Sequence, residues 1–112
     1  MSKFFHFSSR EVRVQFFDGP GAVVVSLTIS DETDIAFVRA AELIKQGTET
    51  GDVQQRLSVW TEAVDALIGE DARKQILAQA PHQDCFAVAE IYRFVVDAYG
   101  AAKVKNLSAS AR

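Results

Sequence analysis

His82 and Cys85 stand three residues apart, a spacing that can supply half of a four-ligand zinc clamp or set a thiol beside an imidazole base. The metal clamp has no second pair of the usual kind, and for nucleophilic catalysis neither residue sits in a recognised signature. Cys85 is the single cysteine, and the other histidine, His6, lies near the N-terminus. Cys85 therefore reads as a small buried hydrophobe at the start of a helix. Glu70 and Asp71 could act as paired acids, yet adjacent carboxylates at a helix start have a simpler use in capping and in complementing the dipole. Gly19-Pro20-Gly21 has glycines but lacks the lysine and the following helix of a phosphate-binding loop, so it reads as a hairpin turn. The expectation is a non-enzyme with no catalytic residue, no metal and no cofactor.

Binding is what remains. Trp60, Tyr92, Phe94 and Tyr99 have the large aromatic bodies that anchor partners at interfaces. Trp60 and Tyr92 fall on apolar stripes and read as core. Phe94, off the main stripe, and Tyr99, close to a helix end, are candidate partner-binding residues, and Lys103 and Lys105 join them from the basic end of the chain.

The elements that must position these residues divide into a β front and an α back. Phe5 and Phe7 alternate with Phe4 and His6, and Ser8-Ser9 offers a turn. Val12, Val14 and Phe16 then alternate with polar residues. Asp18-Gly19-Pro20-Gly21 turns the chain into Val23, Val25, Leu27 and Ile29, which share one face. The pattern predicts a three-stranded antiparallel meander. Ser30, followed by Asp31, Glu32 and Asp34, predicts a first helix from about Asp31 to Gln46, ended by Gly47. Asp52 with Gln55 fits a capping box opening helix two, whose Val53, Leu57, Trp60, Val64, Leu67 and Ile68 keep the clearest helical spacing in the chain. Gly69 suits a C-cap, Asp71 caps a short third helix running through Ala80, and Pro81 blocks its continuation. Asp84 restarts the chain as helix four, with a stripe of Val88, Ile91, Tyr92, Val95 and Tyr99, and Gly100 is expected to end it.

The fold class expected is therefore α+β: a small antiparallel sheet followed by four helices, the third short. At 112 residues the chain suffices for one domain, assigned to residues 1–100, with residues 101–112 as a flexible basic tail. With 48% apolar and 24% charged residues, the composition argues against disorder of the whole. Net charge is −3, but the tail holds Lys103, Lys105 and Arg112 and no acid. The acidic body left behind would repel a phosphate backbone, which argues against duplex nucleic acid as the main partner. No apolar run reaches the length of a signal peptide or a membrane span, so the expected location is the cytoplasm, with no membrane partner.

One segment has a family look. The run Val64-Asp65-Ala66-Leu67-Ile68-Gly69 closes a helix, a charged short helix follows and ends near Pro81, and an apolar last helix comes after it. Behind an N-terminal meander, this order resembles the small tail assembly chaperones of long-tailed bacteriophages and prophages. Gly69 matches the glycine that usually follows the helix in that family. Asp71 stands where a second glycine is sometimes found.

The resemblance implies a non-catalytic protein that binds the tape measure and tail tube proteins during tail assembly, in the cytoplasm of a bacterial host, with self-association left open. It carries no ligand site. The same segment also serves as an ordinary helical hairpin with Gly69 as its stop. A DNA-associated regulator or antitoxin-like protein, touching phosphate through the basic end, is the alternative function.

Overall fold

The computed structural model describes residues 11–49 and 51–110, with side-chain surroundings given through Val104. β1 (Glu11–Phe16) and β2 (Val23–Thr28) pair antiparallel with Val14 opposite Val25. The alternation works as expected: Val12, Val14, Phe16, Val23, Val25 and Leu27 are all buried, while the residues between them face outward. The described residues thus hold a two-stranded sheet rather than the expected three. The strand expected over Phe4–Phe7 lies outside the described residues. A single 3₁₀ turn, Gly19–Gly21, joins the strands, with Pro20 just inside it and Gly19 at φ 74°.

Four helices follow: α1 (Asp31–Thr48), α2 (Val53–Ile68), α3 (Glu70–Ala78) and α4 (Cys85–Ser110). The starts of α1, α2 and α4 are written in polar side chains. Ser30 Oγ accepts from Thr33 N at 3.2 Å, Asp52 Oδ1 from Gln54 N at 2.9 Å, and Asp84 Oδ1 from Ala87 N at 3.1 Å. The sheet lays its apolar face on α2, α3 and α4, and α1 packs along α2. Val64, Val88 and Val95, on the stripes of α2 and α4, are the largest side chains to be fully enclosed. Trp60 meets Tyr92 edge-on with ring centroids 5.6 Å apart, so both serve as core between α2 and α4.

Three glycines behave differently from one another. Gly69 breaks the chain between α2 and α3 at φ 92°, a conformation that favours glycine, and is itself the residue before α3, so Asp71 lies inside that helix instead of capping it. Arg73 then reaches back across the break to Asp65, Nε to Oδ1 at 2.5 Å, holding α3 against α2. Gly47 does not end α1. It is buried within the last turn, and a β-carbon there would stand 2.9 Å from Val59 Cγ1, so its role is to let α1 approach α2 closely. Gly100 does not end α4 either, because the helix continues through it to Ser110.

Candidate functional site

The amphipathic pattern of α4 leaves Phe86 and Phe94 off the buried stripe, eight residues apart and so on one side of the helix. Phe86 is 79% exposed and Phe94 47%. Phe94 leans on the end of β1, meeting the Phe16 ring edge-on at 5.0 Å between centroids. Phe17, the next residue, is 42% exposed and sits at φ 67°, a left-handed conformation that costs a bulky side chain about 1–3 kcal/mol. Gln15 Nε2 donates to its carbonyl at 3.0 Å. The odd backbone turns the strand end so that a second phenylalanine follows Phe16 onto the same lip.

Between these rings lies an open apolar groove of about 620 Å³. Its floor comes from Ile76 and Leu77 at the end of α3, from Ala80 and Pro81 just beyond it, and from Ala87 and Ile91 on α4; His82, Asp84, Glu90, Arg93 and Asp97 supply the polar rim. The neighbouring turn is tied to α3 by Gln79, whose Nε2 donates to Gly21 O at 2.6 Å, and Gln83 Nε2 donates to Leu77 O at 3.1 Å. The walls are thus held by side-chain bonds to backbone, while the apolar surface between them stays open. Such a surface suits the capture of apolar side chains.

Of the candidate partner-binding residues whose side chains are described, Phe94, Tyr99 and Lys103, Phe94 alone faces this groove. Tyr99 is a correction: it is 4% exposed, and its ring stacks on Phe37 with centroids 4.4 Å apart and planes 11° from parallel. Its hydroxyl donates to Asp34 Oδ1 at 2.6 Å. Burial, with the bond to Asp34 second, pushes the Tyr99 hydroxyl up to about 12. Lys103 is drawn into the same cluster instead of standing free on a tail. Its Nζ lies 3.0 Å from both carboxylate oxygens of Asp34 and 5.8 Å from the centre of the Tyr99 ring. Hydrogen bonds from Tyr99 first and Lys103 second hold the Asp34 carboxyl below its usual range. The cluster fastens the second half of α4 to the start of α1. The Lys105 side chain lies outside the described surroundings.

Cys85 is half-buried, and His82, on the rim of the groove, is exposed. Among the described residues no group of three or more histidine, cysteine, aspartate or glutamate side chains converges on a point that could hold a metal, and no helix is long and apolar enough to cross a membrane. The sequence reading missed Phe17 and Phe86 as surface aromatics. A signal for each was there: Phe17 breaks the alternation set by Val12, Val14 and Phe16, and Phe86 falls off the Val88–Ile91–Val95 stripe.

Comparison with protein-family models, with curated proteins and with solved structures finds no match to this chain.

Proposed function

We propose that this protein is a non-catalytic binding protein that shields an apolar segment of an unassembled partner in its phenylalanine-lined groove. The observation that carries this reading is the exposure of Phe86 and Phe94 on one side of α4, beside a groove with a firm frame. Full burial of a phenylalanine is worth about 1.5–3 kcal/mol, so covering these two, already partly buried, offers about 2–3 kcal/mol. That is roughly 30- to 160-fold in a dissociation constant. A contribution of this size gives capture without permanence, which a protein that must hand its client on requires.

The resemblance of the stretch from Val64 to Pro81 to tail assembly chaperones suggests the client: a tape measure or tail tube protein, met in the cytoplasm of a bacterial host. The direct test is co-expression of the full chain with a tape measure protein encoded beside it. The expected result is a higher soluble yield of the client and co-purification of the two, both lost when Phe86 and Phe94 are changed together to serine. Unchanged yield with no co-purification rejects the client. Salt-dependent binding of duplex DNA by the same preparation would favour the regulator reading instead.

A further inference from the structure

The polar rim of the groove is biased in charge. Asp84, Glu90 and Asp97 line it against a single arginine, Arg93, three acids to one base in a chain whose totals are 15 and 12. Glu90 stands four residues from Phe86 and four from Phe94, which sets its carboxylate in line between the two exposed rings. Glu90 and Asp97 are exposed and take part in none of the ion pairs among the described residues. Asp84 uses one oxygen to cap α4.

Resting on the reading that the groove receives a protein segment, we propose that its occupant is an amphipathic segment whose bulky apolar side chains are flanked by lysine or arginine. An apolar side chain seated against Phe86 and Phe94 brings its neighbours within reach of Glu90. A basic neighbour there meets an opposite charge, an acidic one meets its own sign, and a wholly apolar one strips water from a carboxylate without replacing it. The rim therefore selects among segments that the rings alone would hold equally well.

The test uses the full chain and two fluorescent peptides of about 18 residues, five helical turns, with the same leucines and phenylalanines at helical spacing. One carries Lys and Arg at the polar positions, the other Glu and Asp. Fluorescence anisotropy is expected to give a preference of about tenfold or more for the basic peptide at about 0.1 M salt. The margin should shrink near 1 M, where the screening length falls from about 10 Å to about 3 Å. Glu90→Lys combined with Asp97→Lys should reverse the order, and Phe94→Ser should weaken both peptides. Equal affinities, or a preference for the acidic peptide, overturn the charge inference and leave the groove reading standing. Failure of both peptides to bind overturns the groove reading and the inference with it. A concentration-dependent dimer that Phe94→Ser dissolves would place a second copy in the groove and also overturn it.

Discussion

Gly47→Ala should destabilise the protein, although replacing a helical glycine with alanine ordinarily helps. The new β-carbon would lie 2.9 Å from Val59 Cγ1 and 3.0 Å from Val59 Cβ, against a favourable carbon–carbon separation of about 3.5–4.0 Å. Val59 is β-branched and sits within α2, where one rotamer dominates, so it cannot swing aside. Overpacking of this kind costs about 1–3 kcal/mol. Helix propensity returns at most about 1 kcal/mol, and less at Gly47, next to the last residue of α1. The net expectation is a loss of about 1–2 kcal/mol. Removing the obstacle should change the sign: in a Val59→Ala background, Gly47→Ala becomes neutral or stabilising by up to about 1 kcal/mol. Urea unfolding of the four proteins, followed by circular dichroism, measures the cycle, with the urea dependence expected to stay constant across it. A Gly47→Ala protein more stable than the parent would refute the close approach of α1 and α2 at this residue.

Two more outcomes follow from the sites described. Tyr99 binds its proton more tightly folded, with its pKa raised from 10 to about 12, so the stability linked to it is intact below pH 10 and lost as pH rises from 10 towards 12. Alkaline unfolding should therefore be steeper across that window than in Tyr99→Phe, and parallel curves would contradict the burial of the Tyr99 hydroxyl against Asp34. Phe17→Asn, which tolerates the left-handed backbone, should leave stability unchanged or raise it while weakening capture of the client in the co-purification assay; loss of stability alongside intact capture would argue against a strained residue kept for its surface.

Local signals carried most of the fold. Ser30, Asp52 and Asp84 are each followed by helices because a short side-chain oxygen can satisfy N–H groups two or three residues on, and that geometry needs no knowledge of the tertiary structure. The stripes of α2 and α4 were legible for the same reason. Gly47 was misread because a glycine that stops a helix and one that admits a neighbouring helix look alike until Val59 is in place. Gly100, with nothing near its missing side chain, has no packing explanation. Tyr99 falls on the apolar stripe of α4 in the sequence, yet both it and Lys103 read there as partner-binding candidates, because the residue that holds them, Asp34, is 65 and 69 residues away in sequence. The groove was the least legible feature, since it needs the end of β1, the end of α3 and the start of α4 in one place.

The edge-on meeting of Trp60 and Tyr92 has a practical side. Trp60 is the sole indole in the sequence, and neither ring lines the groove. Ultraviolet emission from the unlabelled protein thus monitors one seam, that between α2 and α4, and a change in that signal when a client is added would mean that occupancy is felt inside the body of the protein as well as at its surface.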